Sequence, residues 1–288
     1  MNQLLVTLRF YATGSFQLVV GDTFNIDKAT VCRIVHRVTP VIASLCSQYV
    51  KFPTSEQERN DVMQMFFKAS GLPGIIGAVD CTHIAIQSPG SDSAEIYRNR
   101  KGYFSLNVQL VCDCSGFVTD VVARWPGSVH DSTIFDNCHL RAQFETGELK
   151  GCLVGDSGYA CRPYLLTPLG NPTTPAETAY NNSHAAARNC IERANGVLKR
   201  RFPVLKYGIR LQIKNTLPVI VAAVVLHNIA LTVGDEEPGD DQQLVEYMAT
   251  RRQDLLADDY DEQQVQPLDA TNLPGACGMR STIINNYF

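Results

Sequence analysis

Residues 74–86 read Gly-Ile-Ile-Gly-Ala-Val-Asp-Cys-Thr-His-Ile-Ala-Ile, an apolar run typical of a buried β-strand, with one carboxylate, Asp80, in its middle. A carboxylate inside a buried strand is costly unless a cation or a good hydrogen-bonding partner compensates for it. A bound metal ion is one explanation for Asp80. The alternative is ordinary turn chemistry, in which Asp80 lies at a strand end and caps a turn.

Two more acids follow on separate elements. Asp156 comes two residues after the apolar run 152–154, and Glu192 lies in the middle of a helical pattern at 187–199. Three acids on three elements can converge in a fold. Their spacing alone is weak evidence, because the chain contains 29 acidic residues and offers many such triples.

The region after Gly74 has the pattern of an α/β domain. Strands are predicted at 75–86, 104–112 and 117–124, the last two as a hairpin, followed by a helix at 131–144 and a short strand before Asp156. Residues 162–184 are rich in Pro, Thr and Asn and predict a long loop. The expected fold is a mixed sheet with helices packed against it.

The first 70 residues are helical in pattern. Short helices are predicted near 4–11 and 15–21, and Asp27 caps a third whose outer face carries Lys28, Thr30, Arg33 and Arg37. This order is typical of a helix-turn-helix, although a small helical bundle has a similar pattern. The chain therefore divides into a helix-turn-helix-like region (1–70), an α/β domain (71–233) and an acidic C-terminal tail (234–288).

Composition argues against a disulfide-bonded secreted protein and against a membrane-spanning one. Ten cysteines without a Cys-x-x-Cys pair or a secretory leader indicate reduced thiols in a cytosolic or nuclear protein. The longest apolar run, 217–233, includes Pro218, His227 and Asn228, and is predicted to be a buried core helix. No membrane association is expected.

Charge is unevenly distributed along the chain. Residues 235–262 hold eleven acids and two arginines, a net charge of −9, which leaves +5 for the rest of the chain. The stretch 188–214 carries eight bases and one acid. Basic residues at a helix C-terminus are favoured by the helix dipole, but this excess also suits a polyanion. The predicted DNA-binding residues are Arg98, Arg100, Lys101, Lys199, Arg200, Arg201 and Lys206.

The acidic tail has two interpretations. It can compete with DNA for the basic face, or residues 242–260 can form a helix packed elsewhere that buries Leu244, Tyr247, Met248 and Leu255.

Five strings resemble the PIF/Harbinger transposases and their domesticated nuclease relatives, and they occur in family order within residues 3–233. They are Gly-Ala-Val-Asp-Cys-Thr-His-Ile (77–84), Tyr-Arg-Asn-Arg-Lys-Gly-Tyr-Phe-Ser-Leu-Asn-Val-Gln (97–109), Pro-Gly-Ser-Val-His-Asp-Ser-Thr-Ile-Phe (126–135), Gly-Asp-Ser-Gly-Tyr (155–159) and Arg-Asn-Cys-Ile-Glu-Arg-Ala-Asn-Gly-Val-Leu-Lys-Arg-Arg-Phe (188–202). The resemblance implies an RNase H-like fold.

The resemblance also implies a site and an activity. Asp80, Asp156 and Glu192 would form a DDE triad, and 35 residues separate the last two, as in the family. Asp131 would be a further metal ligand, although an Asp that opens a helix is ordinarily an N-cap. The implied activity is DNA endonuclease action by hydrolysis of phosphodiester bonds, with two divalent cations, Mg²⁺ or Mn²⁺.

Partners follow from the same resemblance. A Myb/SANT-type DNA-binding protein would help to carry the chain to DNA and to the nucleus, leaving the chain in the cytoplasm when that partner is absent. Two other functions stay open. One is a domesticated DNA-binding adaptor that has the transposase fold without cleavage, and the other is a His/Asp metal phosphohydrolase site built from Asp80, His83, His130 and Asp131.

Overall fold

A computed structural model describes residues 3–90, 94–239 and 276–288, and a five-stranded mixed sheet lies at its centre. The strands lie in the order β3-β2-β1-β4-β5. The β1–β2 and β2–β3 pairs are antiparallel, whereas β1–β4 and β4–β5 are parallel. This confirms the predicted α/β fold and agrees with an RNase H-like sheet. The strands are β1 (Ile75–Ala85), β2 (Ser105–Cys112), β3 (Val118–Pro126), β4 (Cys152–Val154) and β5 (Leu165–Leu166).

Helices surround this sheet in the described part of the chain. They are α1 (Gln3–Thr13), α2 (Gln17–Phe24), α3 (Lys28–Ala43), α4 (Cys46–Tyr49), α5 (Glu56–Ser70), α6 (Asp131–Asp136), α7 (His139–Glu145), α8 (Pro175–Arg201), α9 (Pro203–Tyr207), α10 (Ile213–Thr232) and α11 (Ala276–Tyr287).

The two faces of the sheet bury different sets of side chains. On β1, Ala78 and Ile84 join the larger core, which includes residues of α8 and α10. Val79 and Cys81 pack against the smaller core, to which α6 and α7 contribute Phe135 and other apolar residues. Because successive side chains of a strand alternate between faces, β1 separates an "α8 face" from an "α6 face", and Asp80 belongs to the α8 face.

The N-terminal helices share the larger core with the rest of the chain. Val6, Val35 and Ile220 belong to one buried cluster, in which α1 packs against α3, and α3 in turn packs onto α10. Asp27 caps α3 as predicted, accepting a hydrogen bond of 2.9 Å from the Thr30 backbone. The three predicted helices are present, with a left-handed Asn25 in the turn between α2 and α3. A DNA-binding role for them stays a prediction.

The apolar run near the C-terminal end of the domain forms α10, the predicted core helix. By length and composition alone α10 and the stretch Lys28–Tyr49 would suffice to cross a membrane. In the fold, however, α10 is packed inside the domain, and its buried Asn228 ties it to β3. The Asn228 amide donates to the backbone oxygens of Val118 and Tyr49, and its oxygen accepts from the Val118 N–H.

Two predicted elements differ from the structure. The single helix expected at 131–144 is broken between α6 and α7, where the Cys138 sulfur accepts a hydrogen bond from the Arg141 N–H and starts a new helix. The long loop expected at 162–184 is shorter. It contains β5, and α8 already begins at Pro175, because Thr174 and Glu177 form a capping box.

The C-terminal tail is described only at its two ends. Residues 235–239 follow α10, and α11, which the sequence pattern did not predict, packs Ile283 and Ile284 into the larger core. Arg280 of this helix donates to the backbone oxygen of Thr167. The helix considered for residues 242–260 lies outside the described residues.

Candidate active site

Asp80 lies half-buried in the middle of β1, on the α8 face. Its Oδ2 accepts a hydrogen bond of 3.1 Å from Nδ2 of Asn195 on α8. Burial raises the pKa of Asp80 to about 6. The Arg188 guanidinium opposes this shift, and the charges of Asp156 and Asp131 add to it. Asp80 is therefore a half-buried acid in the middle of a strand, held by a neutral donor, rather than a turn cap.

Asp156 lies just beyond the short strand next to β1. β4 pairs with β1 only as far as Ala78, so the neighbouring strand has ended before β1 reaches Asp80. Asp156 follows Val154, which packs into the core on the α8 face, by two residues. Its Oδ1 accepts from the Gly158 N–H at 2.9 Å. This turn brings the second predicted acid close enough for its charge to act on Asp80.

The long helix α8 carries a polar stripe along β1. Arg188, Glu192, Asn195 and Lys199 recur at intervals of four, three and four residues, so they share one side of the helix. Asn195 contacts Asp80, and Nζ of Lys199 donates to the His83 backbone oxygen at 3.0 Å. This stripe places Glu192 one helical turn from the residue that holds Asp80.

Glu192 itself pairs with Arg188. The two side chains form an ion pair of 2.9 Å, and the Glu192 side chain is 53% exposed. Within residues 3–90, 94–239 and 276–288, no three His, Cys, Asp or Glu side chains are arranged to hold a metal ion. The structure thus brings Asp80 and Asp156 near each other, and leaves the Glu192 carboxylate turned to its arginine.

The donor atoms around Asp80 fit a hard divalent cation. Carboxylate and amide oxygens are the ligands that Mg²⁺ and Mn²⁺ prefer. Asn195 is 8% exposed, and its Oδ1 is buried without a hydrogen-bond donor among the described residues. A buried oxygen without a donor beside a buried carboxylate is the arrangement that a cation or its bound water would satisfy.

Asp131 lies on the opposite face of the sheet. It is the first residue of α6, and the N-cap position is His130, so the alternative role of Asp131 as the N-cap is wrong. Its Oδ1 accepts from Nδ2 of Asn107 at 2.8 Å. Asn107 pairs with His83 in the β1–β2 ladder and therefore belongs to the α6 face. Asp131 and Asp80 are held by two different asparagines on two different faces.

The two histidines of the third hypothesis have structural partners. His83 bonds to Oγ of Ser105 at 3.0 Å, and the exposed His130 contacts Arg100. His83 and Asp80 lie on opposite faces of β1, since they are three residues apart in one strand. This arrangement does not favour a His/Asp phosphohydrolase site.

Five of the seven predicted DNA-binding residues differ in whether their side chains are paired, exposed or buried. Arg98 is bound to Glu95 at 2.7 Å and lies over the Phe104 ring, and Arg100 contacts His130. Lys101 is exposed and Lys206 is half-buried. Burial lowers the pKa of Lys199 to about 8. Among Arg98, Arg100 and Lys101, Lys101 is the side chain best placed to contact a phosphate.

Arg200 and Arg201 are covered by the start of the acidic tail. Arg201 pairs with Asp235 and donates to the Glu236 backbone oxygen, while Arg200 donates to the Pro238 backbone oxygen at 3.2 Å. Glu237 lies 4.0 Å from Arg200. We call residues 235–238 the acidic clamp. These individual contacts were not predicted from the sequence, although the opposite charges of residues 188–214 and 235–262 indicated that the two segments attract each other.

The asparagines that hold the acids were also missed. Asn195 stands in the string 188–202, three residues after Glu192, and Asn107 stands in the string 97–109. Their positions inside these strings were the available signal. The sequence alone did not indicate which side chain either asparagine binds.

A mixed sheet of this order, flanked by helices, is consistent with an RNase H-like fold. Residues 79–228 match the family model described as DDE superfamily endonuclease, and this range contains all four predicted acids. The chain belongs to this family as a harbinger transposase-derived nuclease.

Curated relatives agree with this assignment. The rat protein named "Putative nuclease HARBI1" is 40% identical over 237 residues, which cover 81% of this chain and 68% of the relative. The human protein of the same name is 39% identical over the same shares. "Protein ALP1-like" of Arabidopsis thaliana is 31% identical over 260 residues, 84% of this chain and 63% of the relative. No solved structure matches the chain.

The burial of Asp80 predicts the effect of Asp80→Asn on stability without metal. Because the folded state raises this pKa from 3.8 to about 6, it binds the proton more tightly than the unfolded chain does. The folded state therefore loses stability as pH rises from about 4 to about 6, and the loss persists above that. Asp80→Asn should raise the free energy of unfolding at pH 7.5 by on the order of 2 kcal/mol, and should change it little at pH 4.

Urea denaturation in EDTA at both pH values measures this difference. The exposed Asp22→Asn is the matched control and should change neither value. A loss of several kcal/mol in metal-free Asp80→Asn would show instead that the carboxylate is required for the fold.

Proposed function

We propose that the chain is a metal-dependent DNA endonuclease that hydrolyses phosphodiester bonds through Asp80, Asp156 and Glu192. The observation that carries the proposal is the contact of α8 with β1, because Asn195 holds Asp80 while Glu192 lies one turn away on the same stripe. The family match over residues 79–228 supports the same residues.

Asp80, Asp156 and Glu192 would hold the cations, with Asp131 as the proposed fourth acid. Two bound Mg²⁺ or Mn²⁺ ions would activate a water molecule and stabilise the leaving oxygen. The protein needs no nucleophile of its own in this chemistry. Its task is to hold the carboxylates in place, which the hydrogen bond from Asn195 does for Asp80.

Arg188 has a role in the metal-free state. Its guanidinium pairs with Glu192 at 2.9 Å and also stabilises the ionised form of Asp80. Like charges gathered at one site repel each other, so Arg188 relieves this repulsion until a cation binds. Glu192 must leave Arg188 to join Asp80, and its exposed position leaves its side chain free to rotate.

Cleavage of supercoiled plasmid in Mg²⁺ or Mn²⁺ tests the proposal. Asp80→Asn, Asp156→Asn and Glu192→Gln should each abolish cleavage, because each removes a charge that the cations require. Glu177→Gln is the matched control on α8. It should retain cleavage, since Gln also closes a capping box.

A second outcome distinguishes the alternative function. If the unmodified chain binds duplex DNA but does not nick the plasmid with either metal, the chain is a DNA-binding adaptor that has the transposase fold without cleavage. Cleavage that survives all three carboxylate changes would exclude the triad.

The acidic clamp would restrain DNA binding at Arg200 and Arg201. Neutralising the clamp as Asp235→Asn with Glu237→Gln should remove the ion pairs of both arginines, leave their bonds to the Glu236 and Pro238 backbone, and tighten duplex binding at low salt, where screening is weakest. Each arginine that gains a phosphate should steepen the dependence of log K on log salt by about 0.9. Fluorescence anisotropy with one duplex at two salt concentrations measures both effects.

A control variant with the same change in net charge separates the effect of the clamp from the effect of net charge on affinity. Glu56→Gln with Asp61→Asn removes two exposed acids on α5 and should leave affinity nearly unchanged. Equal affinities of the clamp variant and the unmodified chain at low salt would mean that the charges of Asp235 and Glu237 do not restrain DNA binding.

We further propose that a Myb/SANT-type DNA-binding protein assists this chain, as the family resemblance implies. The three basic residues Lys199, Arg200 and Arg201 are tied to β1 and to the acidic clamp, so they make a poor independent nuclear signal. A fluorescent fusion should therefore stay in the cytoplasm of cells lacking such a partner and enter the nucleus when one is supplied. Full nuclear entry without a partner would contradict this proposal.

A further inference from the structure

Asn195 differs from Asn181, another asparagine of α8, in how its side chain is hydrogen-bonded. Its Nδ2 donates to Asp80, but its Oδ1 is buried without a donor in the described part of the chain. On the same helix, the Asn181 amide donates to the Leu169 backbone oxygen and its oxygen accepts from the Leu169 N–H, both at 2.9 Å. One asparagine is fully paired, and the other lacks a donor for its oxygen.

The orientation of the Asn195 amide is set by Asp80. Turning the amide over would place its oxygen 3.1 Å from a carboxylate oxygen, which is repulsive, whereas the N–H in that position donates a hydrogen bond. The amide oxygen must therefore remain on the side where no described donor reaches it. A buried polar atom without a partner costs about 1–3 kcal/mol, so this arrangement needs an explanation.

We infer that Asn195 is a positioning residue of the cation site and that its Oδ1 serves the cation or a water bound to it. The inference rests on the proposed function. The N–H group holds Oδ2 of Asp80 at 3.1 Å and so fixes how the carboxylate is presented to the cation. The amide oxygen adds a neutral ligand atom of the type that Mg²⁺ and Mn²⁺ accept, without adding a charge to the site where Asp80 and Asp156 already lie near each other.

Mn²⁺ affinity, measured by calorimetry on the full chain without DNA, tests this role. Partners that orient metal ligands typically change metal affinity by about 10–100-fold when removed. Asn195→Ala and Asn195→Leu should each weaken Mn²⁺ binding at least about 10-fold. Leu branches at Cγ as Asn does but carries no polar atom, so it fills the position on α8 if the Ala variant folds poorly.

Two controls make the result specific. Asn181→Ala removes two hydrogen bonds from the same helix, so it should lower the melting temperature and leave Mn²⁺ affinity unchanged. Asp80→Asn should abolish Mn²⁺ binding at this site if the proposed function is correct.

The outcomes separate the two proposals. If Asp80→Asn loses Mn²⁺ while Asn195→Leu binds it within about twofold of the unmodified chain, Asn195 only packs against Asp80, its oxygen is served by water alone, and the inference is overturned. If Asp80→Asn still binds Mn²⁺ normally, the proposed function itself fails and the inference fails with it.

Discussion

The packing of α8 across β1 is the contact on which the candidate site depends. Asp80 lies inside a buried strand, where an unpaired carboxylate would be costly. The helix supplies what compensates for it, because Asn195 donates to its carboxylate and Arg188 acts on its charge. The same helix carries Glu192. Any displacement of α8 along β1 would separate the acid on the strand from the acid on the helix and would leave Asp80 without its donor.

Charge is balanced in the middle and at the C-terminal end of α8 by contacts that a ligand could replace. Near the acids, Arg188 pairs with Glu192, and at the C-terminal end the acidic clamp covers Arg200 and Arg201. In both sets the acidic side chain is more than half exposed, and ion pairs open to solvent contribute little net stability. A cation could replace the first set and a DNA backbone the second. Without metal or DNA, the chain thus pairs its own acidic and basic side chains at the positions where the proposed function needs their charge.

The four predicted acids are divided between the two faces of the sheet. Asp80 and the helix carrying Glu192 lie on the α8 face, and Asp156 follows a β4 residue that packs there. Asp131 is held by Asn107 on the α6 face. A charge there still raises the pKa of Asp80, so Asp131 contributes to the electrostatics of the site across the sheet. Whether it also joins the cations stays a prediction.

The sequence by itself determined the mixed α/β fold, the strand around Asp80, the core helix α10 and the family, because apolar periodicity and family strings are local and are printed in the chain. The start of α8 was missed although its capping box, Thr174 with Glu177, is itself a local signal. The pattern did not reveal the break between α6 and α7, where a cysteine sulfur starts the new helix, or the presence of α11, which packs against a distant core. Only the tertiary structure paired Asn195 with Asp80, Asn107 with Asp131 and the acidic clamp with Arg200 and Arg201. These partners are up to 115 residues apart. Which side chains meet over such distances depends on strand register and helix packing, and neither is encoded in the local pattern of residues.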